Sequence, residues 1–186
     1  VKRYRDLFRK LSSIPLFHHL LREEIGSLLP FIHSHTFPAG EVICRQGETG
    51  TSMFIIEQGV VDIIDDRKGQ TIDTLRDHDI LGEIAIITGE TRTATARAAR
   101  ETKVWFIEKD DFGKVLQSSP KLAAVIRDLV TNRLANLKTM NTIEAQKADE
   151  WARIAAKNID DKFLLPTDSE IKREVAENKG APLGIW

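Results

Sequence analysis

The sequence predicts an α+β fold, mainly β, in which short antiparallel strands close into a sandwich or barrel between two helical ends. Three observations predict it. Residues 1–32 carry apolar side chains at helical spacing, residues 33–107 break into short β-rich runs with turn residues between them, and helical spacing returns from about residue 110. Six or more short strands with no long helix between them favour a closed or two-layered sheet over an alternating α/β arrangement.

The first helical stretch places Leu7, Leu11 and Ile14 at steps of four and three, followed by Leu20, Leu21, Ile25, Leu28, Leu29 and Ile32, with Pro15 and Pro30 as punctuation. The strand runs are "EVICRQ", "SMFIIEQ", "VVDIIDD", "TIDTLRD", "TATARAA" and "KVWFIEK". One short helix, Glu83 to Ile87, interrupts them. Asp110 or Asp111 can cap a helix starting at Phe112, and Pro120 can open the next at its first turn. Leu122, Ile126, Leu129, Leu134 and Leu137 lay an apolar stripe along that helix, which is expected to run on past Trp151 and to stop around "NIDDKFLLPTDSE". A capping-box pattern from Thr167 to Glu170 announces a last helix ending near Gly180.

Charge and composition narrow the function. Lys and Arg total 27 against 28 Asp and Glu, so no bulk basic excess exists to neutralise nucleic-acid phosphates. The single Cys44 excludes an intramolecular disulfide and a multi-cysteine zinc site, and reads as a small strand hydrophobe. No run approaches the ~20 apolar residues of a membrane span, and no signal peptide precedes Val1, so the chain is expected to be soluble. It starts without Met and stops on "GAPLGIW", which reads as a module of a longer polypeptide.

The stretch "LGEIAIITGETRTATARA", residues 81–98, carries the chemistry. If Arg92 to Ala98 is a strand, Arg92 shares its face with three alanines while Arg97 lies opposite, beside Thr93 and Thr95. An arginine turned toward a small, partly buried pocket must find an anion. That anion is either Glu83, nine positions earlier, or a bound phosphate, which the planar guanidinium can grip with two parallel hydrogen bonds. Gly82 lets a ligand approach the backbone, and a short helix after it would turn free N–H groups toward an anion. A carboxylate beside a phosphate is useful only if it accepts a hydroxyl hydrogen bond, so a phosphate that also carries a sugar hydroxyl reconciles Glu83 with Arg92.

With those residues in place, the stretch resembles the phosphate-binding cassette of cyclic nucleotide-binding domains, Phe-Gly-Glu-(Leu/Ile)-Ala followed by Pro-Arg-(Thr/Ser/Ala)-Ala-(Thr/Ser). The segment "FPAGEVICRQGETGTSMFIIEQGVVDI", with Gly47, Gly50 and Gly59 at its turns, is similar to the same family's first strands. The resemblance covers roughly residues 5 to 140. It implies an antiparallel β-roll or jelly roll with N-terminal helices, a short cassette helix and C-terminal lid helices. It divides the chain into an N-terminal helical bundle (1–32), a β-roll (33–109) with its cassette at 81–98, hinge and lid helices (110–140), and a helical extension or linker (141–186).

The resemblance further implies that Arg92 holds the cyclic phosphate and Glu83 accepts from the ribose 2′-hydroxyl. Gly82, backbone N–H groups near Ile84, Ala85 and Ala94, and the Thr93 hydroxyl would complete the cradle. Ile63 and Leu75 would contact the base, and Arg133, Leu134 and Leu137, in a stretch similar to the lid of cyclic-nucleotide-gated channels, would cover it. Two departures stand out: Thr91 replaces the usual Pro before the arginine, and His78 and Leu81 replace the usual Gly and Phe in "RDHDILGE". The ligand would be cAMP or cGMP, with cAMP favoured, bound as a ligand and not as a cofactor. Further expectations are a cytoplasmic sensor fused to an effector such as a membrane channel or transporter, no nucleic-acid partner, and a homodimer through the C-terminal helices.

His33, His35 and Glu41 are suggestive of a cupin metal site, but the interval "EVICRQGETGT", where the cupin histidine pair belongs, contains no histidine. His18, His19, His33 and His35 are therefore read as surface or strand-edge residues, with no metal. No Gly-x-Ser-x-Gly elbow and no P-loop occurs, and neither catalytic residues nor enzymatic activity is expected. Two rivals stay open: a catabolite-activator-type transcription regulator cut before its DNA-binding domain, and a roll that binds no nucleotide and serves as an assembly module.

Overall fold

The computed structural model describes residues 2–18, 20–138 and 143–163. Two helices, α1 (Lys2–Ser12) and α2 (Arg22–Leu28), precede β1 (His33–Phe37), β2 (Val42–Cys44), β3 (Ser52–Gln58), β4 (Val60–Asp65), β5 (Gln70–Arg76) and β6 (Ile80–Leu81). Helix α3 (Glu83–Thr88), β7 (Thr95–Ala98) and β8 (Thr102–Glu108) follow, then α4 (Lys109–Ser118), α5 (Pro120–Lys138) and α6 (Ile143–Phe163). Pro15 and Pro30 each lie in the first turn of a short 3-10 segment, Pro15–Phe17 and Leu29–Phe31, where a missing N–H breaks no helical bond.

The strands form two antiparallel four-stranded sheets, ordered β1-β8-β3-β6 and β2-β7-β4-β5, and so realise the expected roll. Strand parity explains why β3 is apolar throughout. Met53 and Ile55 point out of the roll into a large core shared with the helices, while Phe54 and Ile56 point inward to a second cluster with Val61, Leu75, Leu81 and Ala96. The large core joins Leu11, Ile14, Ile25 and Leu28 of the N-terminal region to Trp105 and Ile107 of β8 and to α4, α5 and α6.

Three boundaries differ from the sequence reading. Helix α4 begins at Lys109 instead of Phe112, so Asp110 and Asp111 occupy its first turn, beside the positive end of the helix dipole. Glu108, at the N-cap position, uses its side chain to accept a hydrogen bond from Ser52 Oγ (3.0 Å). Strand β7 begins at Thr95, so Arg92 belongs to the elbow before it and not to the strand; the alanines on the inward face are Ala96 and Ala98.

The third difference is at the C-terminal end. In place of one helix running past Trp151, α5 and α6 are separate, and α6 packs against α5, α4 and α3. Each carries a stripe that needs a partner: Leu122, Ile126, Val130 and Leu134 on α5, and Ala148, Trp151, Ala155 and Ile159 on α6, all buried. Burying each large side chain contributes about 1.5–3 kcal/mol, which a straight extension would forgo. The capping-box pattern at Thr167 to Glu170 lies outside the described residues, as does His19.

Candidate functional site

A cavity of about 160 Å³ opens inside the roll, between the second sheet, the start of α3, the elbow before β7 and the far end of α5. Its lining includes Gly82, Glu83, Ile84, Ala85, Arg92, Thr93 and Ala94, together with Ile63, Leu75 and Arg133. The fold therefore gathers ten of the twelve residues singled out in the sequence around one space. Leu134 turns away into the helical core, 1% exposed, because it is only one position from Arg133 and so about 100° around the helix. Leu137 lies on α5, but its side chain is outside the described residues.

Arg92 is buried, 6% exposed, and no carboxylate among the described residues pairs with it. Instead Nη1 donates to the Gly82 carbonyl (2.8 Å) and Nη2 to the Ser52 carbonyl (2.7 Å), which uses two of the guanidinium's five N–H donors. Its guanidinium carbon lies 5.8 Å from the centre of the Phe54 ring. The backbone fixes the same residue: Arg92 N–H donates to Glu48 (2.8 Å) and its carbonyl accepts from Gly47 (2.9 Å). Thr91 forms an isolated bridge with Thr49, so the elbow is held by strand-like pairing where the resembled family uses proline.

Gly82 is required here. It is the N-cap of α3 at φ +86, and a Cβ on it would collide with Arg92 Nη1 and come within 3.0 Å of the Ser52 carbonyl. Gly50 is held to the same standard, since a Cβ there would lie 2.6 Å from that of Ala85.

Glu83 is 1% exposed and does not pair with Arg92. Its partner is Arg133, whose Nη1 donates to Oε1 at 2.6 Å from the far side of the cavity. The other oxygen, Oε2, is buried and has no hydrogen-bond partner among the described residues. A buried carboxylate oxygen left in that state costs on the order of 1–3 kcal/mol unless a donor reaches it. The cavity thus presents a cation with spare donors and, a few residues away, an acceptor with a spare lone pair.

Six lining residues were not among those twelve: Leu81 and Ala96, which lie within the 81–98 stretch, and Cys44, Ile72, Asp73 and Asn136, which lie outside it. Asn136 was legible in principle, because it lies three positions after Arg133 and shares its face. The other three outside the stretch depend on strand register. Cys44 pairs with Ala96 across β2 and β7, and desolvation by burial raises its thiol pKa above that of an ordinary cysteine, against the pull of the nearby Arg92 charge. His33 and His35 are exposed on the edge strand β1, and no group of His, Cys, Asp or Glu among the described residues could hold a metal ion. No helix among them is long and apolar enough to cross a membrane.

The model of the cyclic nucleotide-binding domain matches residues 34–119. Among curated relatives, the potassium/sodium hyperpolarization-activated cyclic nucleotide-gated channel 4 of Oryctolagus cuniculus is 28% identical over 169 residues, covering 90% of this chain and 14% of the channel. A cyclic nucleotide-gated potassium channel of Mesorhizobium japonicum is 32% identical over 123 residues, 66% of this chain and 34% of the channel. This chain spans only those fractions of their lengths. Among solved structures, the regulatory domain of Toxoplasma gondii protein kinase A, co-crystallised with cAMP, superposes with a TM-score of 0.63 at 26% identity, covering 73% of this chain and 51% of that one. The regulatory subunit of a cAMP-independent protein kinase A from Trypanosoma brucei shares the fold at TM-score 0.63 and 19% identity, over 80% of this chain and 50% of that one.

Proposed function

Because residues 34–119 form a domain of the cyclic nucleotide-binding family, we propose that the cavity binds a 3′,5′-cyclic purine nucleotide, cAMP in preference to cGMP, and that the chain is the sensor of a longer protein. The fold alone does not carry this, since a regulatory subunit described as cAMP-independent has it too. The observation that carries it is the buried Glu83 Oε2 without a donor, in one cavity with the buried, carboxylate-free Arg92. A cyclic phosphate satisfies the second and the adjoining ribose hydroxyl the first. The free N–H groups of the first turn of α3 and the Thr93 hydroxyl border the same space and supply neutral donors.

Ligand would enter beside Arg133, which bridges the cavity to Glu83 and sits on α5. Binding free energy regulates only if the ligand prefers one arrangement of α5 and α6 over another. The output would therefore be a shift of these helices, transmitted to a fused effector. A channel is the reading that the relatives favour. One observation favours a nucleotide-free assembly module instead: two of the Arg92 donors are already held by carbonyls.

Calorimetric titration with cAMP and cGMP, on the protein and on Arg92→Leu, separates these readings. Binding by the wild type and a roughly ten- to hundredfold weaker variant is expected, as loss of charge-assisted bonds worth ~1.5–3 kcal/mol dictates. Absence of binding by the wild type at millimolar nucleotide would leave the assembly module.

A further inference from the structure

Two consecutive residues of the cradle face the same space. Thr93 and Ala94 both line the cavity, although neighbours along an extended chain point to opposite sides. The backbone bends at these two residues, between Thr91, which bridges to Thr49, and β7, which begins at Thr95. Main-chain pairing holds the elbow on either side of the bend: Arg92 is bonded to Glu48 and Gly47, and Ala96 pairs with Cys44.

At the bend itself the partner is a side chain. Gln46, half-buried between β2 and β3, donates from Nε2 to the Thr93 carbonyl (3.0 Å) and accepts at Oε1 from Asp66 N–H (2.8 Å). A side-chain amide carries the same donor and acceptor as a peptide group, so it can take the place of a strand partner. Here it is inserted between the elbow and the turn that follows β4. Its orientation is fixed from both ends, because a carbonyl demands the amide NH2 and an N–H demands the amide oxygen.

A closed circuit of hydrogen bonds locks this arrangement. Gln46 N–H donates to Thr95 Oγ1 (2.9 Å), and the Thr95 hydroxyl donates to Asp66 Oδ2 (2.5 Å). Thr95 is 2% exposed, and its one hydroxyl proton is committed to the carboxylate. Gln46 itself does not line the cavity. Its effect reaches there through one planar unit: the Thr93 carbonyl and Ala94 N–H belong to the same trans peptide, so a bond that fixes one fixes the other.

We propose that Gln46 is a positioning residue of the site, holding the bend that presents the Thr93 hydroxyl and the Ala94 N–H to the cyclic phosphate without touching the nucleotide. The inference rests on the cyclic-nucleotide reading of the cavity. Without the Gln46 amide, the Thr93–Ala94 peptide is free to turn toward regular strand alternation, which carries one of the two residues out of the cradle.

The test is calorimetric titration with cAMP and cGMP of the wild type, Gln46→Met, Gln46→Asn, Thr93→Ala and the Gln46→Met, Thr93→Ala double variant, with melting temperatures as a control for folding. Met has nearly the length of Gln but no amide, whereas Asn keeps the amide one methylene short; at a half-buried position neither opens the core. Each Gln46 variant is expected to bind about tenfold more weakly, the upper range for one neutral hydrogen bond. In the Thr93→Ala background the Met substitution should cost no more than about threefold, because part of what Gln46 positions is already gone. Unchanged affinity in either folded Gln46 variant, or a loss equally large with and without the Thr93 hydroxyl, overturns the role of Gln46 while leaving the cavity a nucleotide site. Failure of the wild type to bind either nucleotide overturns the underlying reading itself.

Discussion

Asn158 on α6 and Ile87 near the end of α3 are joined by a hydrogen bond in which the side-chain amide Nδ2 donates to the backbone carbonyl at 2.8 Å. Glu83, at the other end of the same six-residue helix, faces the cavity. Helix α3 therefore has the candidate ligand at its first turn and α6 at its last. The orphan carbonyls at a helix C-terminus need donors, and here a distant helix supplies one.

Loss of that donor is expected to loosen the cradle from behind. Asn158→Ala should lower stability by about 1 kcal/mol, the net worth of one such bond, and should weaken nucleotide binding severalfold although residue 158 does not line the cavity. Thermal melting and calorimetric titration read the two effects separately. A normal dissociation constant in a destabilised variant would show that α6 supports the fold without communicating with the site.

Arg133→Gln is expected to destabilise the ligand-free chain, because it leaves a carboxylate that is 1% exposed without its cation. Since Arg133 itself is 27% exposed and partly solvated, the loss should be about 1–3 kcal/mol and not the larger figure of a fully buried pair. Glu83→Gln in the same chain should return most of it, because a neutral amide tolerates the missing partner. Chemical denaturation of both single variants and the double variant closes the cycle; additive losses would mean that the 2.6 Å contact contributes little.

These two contacts also mark how far the sequence can be read. Strand runs such as "SMFIIEQ", the short helix at Glu83 and the cradle residues 82–94 were legible because each signal is local: parity, turn residues and a contiguous motif. The partner of Glu83 was not, since Arg92 at nine residues and Arg133 at fifty are equally good cations and only the path of α5 chooses between them. Asp73 and Cys44 were hidden for a related reason. Which side chains share a row across four strands is set by register, and at β5 by a bulge that no local pattern announces. The break between α5 and α6 was missed because an apolar stripe continues through both, and its period does not reveal where a helix folds back on its own stripe.

His78 stands at φ +74, the one non-glycine residue in the left-handed region among those described, at the position where the resembled family has glycine. Its N–H donates to the Ile56 carbonyl (2.8 Å), so the turn before β6 is held in this shape. A side chain there costs about 1 kcal/mol. His78→Gly is thus expected to leave the turn unchanged and to raise the melting temperature by a few degrees, with part of the gain offset by the greater freedom of glycine in the unfolded chain. A lower melting temperature would mean that the imidazole makes contacts worth more than the strain.

Cys44 offers a direct footprint of the cavity, being the only thiol in the chain and part of the lining. Its pKa is raised above that of an ordinary cysteine, first by burial, so the thiolate that reacts is scarce at neutral pH. The sign follows: alkylation by a small maleimide or iodoacetamide should be slow at pH 7.5, slower than for an exposed cysteine, and should accelerate with pH until it passes the raised pKa. A nucleotide seated over Ala96, the cross-strand neighbour of Cys44, should slow the reaction further at every pH, in proportion to site occupancy. Mass spectrometry of the intact chain follows the single adduct. If saturating nucleotide binds by calorimetry yet leaves the rate unchanged, the nucleotide does not lie over Ala96 and its cross-strand neighbour Cys44.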